Sequence, residues 1–410
     1  MHANNARRQG MESAAPISDM ITGLTLYCRL VEDIIEGETE LTLTEYRMLF
    51  FLSMTPDKRA RIHTLAEALY LSASTISDAA KNLEAIVKGI VEHHTDTSGF
   101  CFCTDDKHIE EIRKEGHINF NVKKAVQLGL RPEQALKMAT IQAAKCYGLN
   151  HLGAIAPGYQ ADFVVMDNLS DMNVLEVYHK GKKIIKDEKV EIRPCDPQLK
   201  NTVHLLGFRE SDLRLPWREG KVHILKMMEG QIVTEDVREE VGYTEEKGRK
   251  VFKPDGTYQK IAAVERHKNT GKIGVGIVKG FGLRGGAIAS SVSHDSHNLI
   301  VIGDNDHDMY LAVQELLRTQ GGYTLVENGQ VFDTLPLPIM GLMSDAGYEK
   351  VNEKLARMIS KAHEMGIPEG FDPFITLSFM ALPVIPEIRI TPRGVYLTQE
   401  DRMIQSPFDR

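Results

Sequence analysis

Residues 100–117 read FCFCTDDKHIEEIRKEGH: an apolar run, then Thr104, Asp105, Asp106, Lys107 and His108 in succession. Phe and Cys alternate from Phe100 to Cys103, so the spacing predicts a strand, with Cys101 and Cys103 as small buried hydrophobes. IEEIRKEG then predicts a helix, and the polar group before it suits a solvated turn that caps this helix. Two acids, a base and a histidine at a strand end equally suit chemistry. The residues by themselves leave both readings open.

Downstream, VKKAVQLGL and RPEQALKMATIQAAKCYGL predict amphipathic helices, the second with Pro132 in its first turn. GAIAPGYQADFVVMD is a turn-rich loop that feeds the apolar strand Phe163–Met166. VLEVYHKGKKII predicts strand, turn at Lys180–Gly181, strand. PCDPQ marks a linker near residue 195. From 200 to 400, IAAVERH, GKIGVGIV, LRGGAIASSVSHDSHNLIVIG, GGYTLVENGQV and IPEIRITPRGVY predict strands and turns. MYLAVQELLRTQ and AGYEKVNEKLARMISKAHEMG predict helices.

Upstream the texture is helical. LTLTEYRMLFFL and HTLAEALYLSASTISDAAKNLE carry apolar residues three and four apart, with Leu71–Ser72 as a turn and Ser72 or Ser74 as an N-cap. That is the layout of a helix-turn-helix, with Ser72, Ser74, Thr75, Ser77 and Lys81 placed to meet phosphates or base edges. The stretch 20–84 resembles the MarR-type winged-helix regulators. Their wing and dimerisation helices do not follow. Residues 1–84 hold 8 Lys and Arg against 12 Asp and Glu, whereas a reader of DNA usually presents a basic face. DNA binding is therefore not the favoured role of this segment.

Bulk composition is ordinary for a soluble globular chain: 42% hydrophobic, 26% charged, net charge −8 over 410 residues. Nothing in that balance draws the chain to nucleic acid or an anionic membrane. Five cysteines, scattered and without a CxxC pair, fit a reduced cytosol. No apolar stretch nears the roughly 18 residues that span a bilayer. The expected location is the cytoplasm.

At the C-terminal end of a barrel strand, an Asp can hold a metal ion and take a proton from the metal-bound water. The wider text favours this for Asp105. FCFCTDDKHIEEIRKEGH, ATIQAAKCYGL and GAIAPGYQADFVVMD, with the later SHDSHNLIVIG, LPLPIMGLMSD and ALPVIPEIRIT, together resemble the adenine deaminases of the amidohydrolase superfamily. The resemblance covers roughly residues 85–405. It implies hydrolysis of adenine to hypoxanthine and ammonia, assisted by manganese or iron. It makes Asp105 the metal ligand and proton shuttle, with Asp106 in support, and sets His108, His294, Asp295 and His297 as substrate-facing or supporting residues. His93, His94 and His117 read as surface or supporting residues.

The pattern is incomplete. Family members carry an HxH motif, a metal-bridging Glu and two further histidines ahead of this Asp. Here His2 and His63 stand alone and His93–His94 are adjacent. About seven βα units would need on the order of 200 residues upstream. A lone carboxylate holds metal weakly, so the deaminase activity is expected to be crippled.

The expected fold class is multi-domain α/β. Residues 1–19 form a disordered N-terminus and 20–84 a helix-turn-helix fragment. Residues 85–195 hold a hydrolase-barrel remnant with a small composite β domain, and 200–405 an α/β domain of adenine-deaminase type. A barrel strand without neighbours needs cover from other helices or a partner subunit, which makes a homo-oligomer possible. The alternative function is a MarR-like regulator with an appended deaminase-derived domain.

Overall fold

The computed structural model describes residues 83–104, 107–184, 195–205, 207–228 and 232–409. The N-terminus 1–19 and the helix-turn-helix residues Ser72, Ser74, Thr75, Ser77 and Lys81 lie outside them. The chain divides into two units, Met1–Val190 and Glu191–Arg410.

In the first unit, α1 (Leu83–Glu92) buries Val87 and Ile90 in a small core. The core is completed by Phe102, Val122, Ala125, Leu130, Ala135, Met138 and Met172. Helix α2 is Ile109–Glu115, with Glu110 and Glu111 in its first turn and Arg113 and Lys114 in its last, as the helix dipole favours. Helices α3 (Ile118–Gln127) and α4 (Pro132–Ala139) supply Val122, Ala125, Ala135 and Met138 to the core. Pro132 sits at the start of α4, where its missing N–H costs nothing.

Two expectations for this unit need correction. RPEQALKMATIQAAKC is two helices, since α5 (Ile141–Cys146) restarts after Thr140 leaves helical geometry at φ −128°, ψ −96°. The Thr140 hydroxyl bonds back to the Leu136 carbonyl at 2.6 Å. Gly153, at φ +85°, presses directly on the Ile141 backbone, where a Cβ would lie 2.8 Å from its Cα. Phe100–Thr104 has no regular secondary structure and is not a strand. A strand exists by pairing, and here the Phe102 N–H bonds instead to the Met138 carbonyl that ends α4. Phe102 is the buried residue of the run, whereas Cys103 is exposed.

The small sheet of the unit is antiparallel in the order β1 (Phe163–Met166), β2 (Val174–His179), β3 (Lys182–Ile184). Phe163 pairs with Tyr178, their rings stacked 4.5 Å apart. The β2–β3 turn falls at Lys180 and Gly181, both at positive φ, as the sequence predicts.

The second unit is built on one sheet. In chain order its strands are β4 (Val222–Met227), β5 (Thr234–Glu239), β6 (Tyr243–Glu246), β7 (Arg249–Phe252), β8 (Tyr258–Val264), β9 (Ile273–Lys279), β10 (Gly286–Ser290) and β11 (Leu299–Gly303). Helix α6 (Asp306–Thr319) leads to β12 (Gly322–Glu327) and β13 (Gln330–Pro336). Helices α7 (Tyr348–Glu364) and α8 (Pro373–Phe379) follow, then β14 (Ile388–Thr391), β15 (Gly394–Leu397) and β16 (Arg402–Ile404). The eight-stranded sheet has the order β13-β12-β10-β11-β8-β9-β4-β5. Its pairs are antiparallel except β4 with β9.

Both faces of this sheet are covered, so its central strands are apolar throughout rather than alternating. In β8, Ile261 and Ala263 face one core while Ala262 and Val264 face the other. The first core is closed by α7, α8 and the three-stranded sheet β14–β15–β16, through Leu355, Met358, Phe374, Leu377, Ile390 and Val395. The second is closed by α6 (Met309, Ala312, Val313, Leu316) and by Val203, Leu213 and Leu215. The hairpin β14–β15 lies so close to β9 that a Cβ on Gly274 would overlap the Thr391 carbonyl oxygen.

Candidate functional site

Around the opening stretch, Asp105 and Asp106 lie outside the described residues, and their flanks are tied down. The Asn121 amide donates to the Cys103 carbonyl at 2.9 Å, and Thr104 Oγ1 lies 3.1 Å from His117 Nε2. Lys107 pairs with Glu115 at 3.0 Å and lies over the Phe120 ring. The His108 N–H donates to the Glu111 carboxylate at 2.8 Å, which places His108 at the N-terminus of α2. Among the described residues, no group of three or more His, Cys, Asp or Glu side chains is arranged to hold a metal ion. The described residues thus do not by themselves make the metal centre that the resemblance implies.

The second cluster is Ser293–Asn298, the loop that joins β10 to β11. Apolar residues on both sides hold those strands, so the polar loop projects from the fixed ends of two central strands. The His297 N–H bonds to the Ser293 carbonyl, which curls the loop, and His297 takes positive φ (48°). The His294 N–H donates to the carbonyl of Ser378 in α8 at 3.3 Å. Its ring sits 4.7 Å from Phe379 and 6.0 Å from His297. The structure thus brings His294 and His297 together. Asp295 turns away: its side chain is 85% exposed and its nearest oxygen lies 4.0 Å from His294 Nδ1.

Beneath the loop is Arg266, at the end of β8 and 1% exposed. Its Nε–H donates to the His297 carbonyl. One terminal nitrogen donates to the Thr202 carbonyl and hydroxyl, the other to the Met340 carbonyl at 2.9 Å. Gly341, at φ +73°, is what lets the chain cross this guanidinium, because a Cβ there would lie 2.9 Å from it. Burial lowers the Arg266 pKa to about 10. His267 adds a contact from its Nε2 to the Ser296 carbonyl at 2.8 Å.

The Glu265 carboxylate accepts from the N–H groups of His267, Lys268 and Thr270 and from the Thr270 hydroxyl, which fixes the turn that carries Arg266. Burial of Glu265 works to raise its pKa, but these donors outweigh it and hold the carboxyl at about 2. The His297 imidazole is pushed below its usual value, first by burial and then by the charges of His294 and Arg266. Both effects favour its uncharged form. Chemically, the cluster offers two imidazoles, one with an aromatic neighbour, and serine hydroxyls.

Reading along the chain missed Arg266, Ser378 and Phe379. The available signal was the polar run Glu265–Arg266–His267 directly after the apolar strand IAAV.

Two family models match the chain: the amidohydrolase family over residues 30–184 and the adenine deaminase C-terminal domain over 231–402. The first match begins inside the segment 20–84 read as MarR-like. An adenine deaminase of Desulfitobacterium hafniense (strain Y51) is 53% identical over 326 residues, 80% of this chain and 57% of that protein. Adenine deaminases of Petrotoga mobilis (39% over 352 residues) and Bacillus subtilis strain 168 (37% over 363 residues) cover 83% and 86% of this chain and 60% and 62% of their own. The chain thus spans about three fifths of the length of these relatives. A solved amidohydrolase from Thermotoga maritima MSB8 is 19% identical over 43% of this chain and 56% of its own, with a TM-score of 0.19, too low to superpose the two as one fold. Over some four fifths of its length, the chain belongs to the adenine deaminase family of the amidohydrolases.

Proposed function

We propose that the chain serves the hydrolytic deamination of adenine to hypoxanthine and ammonia, as the C-terminal portion of an adenine-deaminase-type enzyme. The observation that carries this reading is 53% identity with an adenine deaminase over 326 residues. In this reading Asp105 binds a divalent metal, manganese or iron, and moves the proton of the reaction, with Asp106 and His108 beside it. His294 and His297 serve substrate in the second unit, whereas the Asp295 side chain faces solvent. A bound metal would supply an activated water, and what the described residues contribute is binding and orientation of the base. In this reading the chain alone is a poor catalyst, because no HxH motif stands ahead of Asp105.

The test is ammonia release from adenine by the purified chain, with manganese or iron supplied and bound metal measured alongside. Slow release that rises with metal occupancy supports the reading. No release, together with no bound metal, would leave ancestry without activity. Two narrower proposals stand apart from this one. The helix-turn-helix at residues 20–84 is tested by salt-dependent binding to duplex DNA, and a homo-oligomer by solution mass.

A further inference from the structure

We infer that the outer face of the small sheet β1–β2–β3 is an interface with a second copy of this chain, stacked sheet on sheet about a two-fold axis. The inference rests on the homo-oligomer proposal and deepens it by naming the surface.

The strand register decides which residues share that face. Val164 pairs with Val177, Val177 with Ile184, and His179 with Lys182, so these side chains project to one side. Leu175, two residues before Val177, joins them. Phe163, Glu176 and Tyr178 project to the other side, where they are half-buried. Burial thus alternates from Leu175 to His179, as in a sheet with one face packed and one in water. The face in water should then be polar. Instead its middle is aliphatic: Val164, Leu175, Val177 and Ile184 are 45%, 64%, 38% and 53% exposed. Single apolar residues on a surface are ordinary, but here Val164, Val177 and Ile184 adjoin across all three strands.

The two ends of the face indicate what covers it. The loop from β1 to β2 carries exposed Asp167 and Asp171, whereas the turn from β2 to β3 carries exposed Lys180 and Lys182. The face therefore has a negative end, an aliphatic centre and a positive end. A two-fold axis lying between two such faces and across their strands seats centre on centre. It also sets the Asp end of each copy against the Lys end of its partner. A surface complementary to itself points to a second copy rather than to an unlike protein. Lys183, on the far side, is engaged with Glu176 and stays out of the contact. Size sets the strength. Six residues of β2 and three strands give a face of roughly 20 by 14 Å. That is well under the ~800 Å² per partner of a standard interface, so the dimer is weak and reversible.

Sedimentation velocity of the full chain, at concentrations up to about 200 µM, tests the interface. The wild type is expected to dimerise with a Kd of about 10 to 50 µM. Leu175→Glu changes an exposed side chain, so it should melt with the wild type, yet weaken dimerisation at least about tenfold. Lys182→Glu sets acid against acid and should weaken it about threefold to tenfold. Adding Asp171→Lys to Lys182→Glu should restore the dimer, because the two positions face each other across the axis. A chain still monomeric at about 200 µM overturns the inference and the homo-oligomer proposal together, whether residues 1–82 or an unlike protein covers the face. A dimer that survives Leu175→Glu overturns the inference alone, since another surface then joins the copies. Failure of Asp171→Lys to rescue Lys182→Glu also overturns it, because the two-fold arrangement requires that rescue.

Discussion

Glu265 shows how one carboxylate can organise a site that it never touches. Its four accepted hydrogen bonds shape the turn from His267 to Thr270, and the same turn presents Arg266 to the His297 carbonyl. Because its folded pKa of about 2 lies below the ordinary 4.5, Glu265 contributes stability that is complete above about pH 4.5. That contribution drains away as the pH falls through about 2. Urea midpoints of the wild type should therefore fall more steeply between pH 4.5 and 2 than those of Glu265→Gln; equal slopes would show that the carboxylate does not set this dependence. Arg266 works by the same economy in the opposite charge: four of its five N–H groups are taken by backbone carbonyls and one hydroxyl, so it fixes the loop and leaves no free fork for an anion.

Among the elements, the decisive packing is the C-terminal hairpin on the large sheet. Gly274 in β9 faces Thr391 and Gly394 with no room for a Cβ. Gly274→Ala should destabilise the second unit by about 3 kcal/mol or more, because backbone rather than a flexible side chain must move. Gly242→Ala, with open space around it and no positive φ, should change stability by less than about 1 kcal/mol. Thermal denaturation of both variants checks the pair.

The same sheet explains what could be read in advance. IAAV, GVGIV and LIVIG announce strands because both of their faces are buried, which leaves continuous apolar text. FCFC carries a similar signal, yet pairing depends on a neighbour that no local pattern reveals. Helix α8 was not anticipated: at seven residues it is apolar on nearly every side, and only Asp372 as N-cap and Pro373 behind it announce a helix. The histidine loop was legible because His294, Asp295 and His297 crowd into four positions. Its supports were not, since Arg266, Ser378 and Phe379 arrive from distant strands and helices, and only the fold makes them neighbours.

Taken whole, the chain is two units with separate cores. No helix among the described residues is long and apolar enough to cross a membrane. Multi-domain chains commonly depart from a single unfolding transition. Scanning calorimetry should resolve two, and the larger should come from the second unit with an enthalpy of about 150 kcal/mol for some 220 residues near 60 °C. One transition carrying the combined enthalpy would mean that the units melt together.

The covering of the eight-stranded sheet has a consequence for synthesis. Strands β4 to β13 leave the ribosome before residues 388–404, which close one of the two cores. At about 5–20 residues per second, the uncovered face waits on the order of several seconds for its lid. During that interval Leu225, Ile261, Ile288 and Ile300 are available to any other apolar surface. A nascent chain of this kind is a customer for chaperones that bind exposed hydrophobic segments, and its yield in the cell should depend on translation speed across residues 337–404.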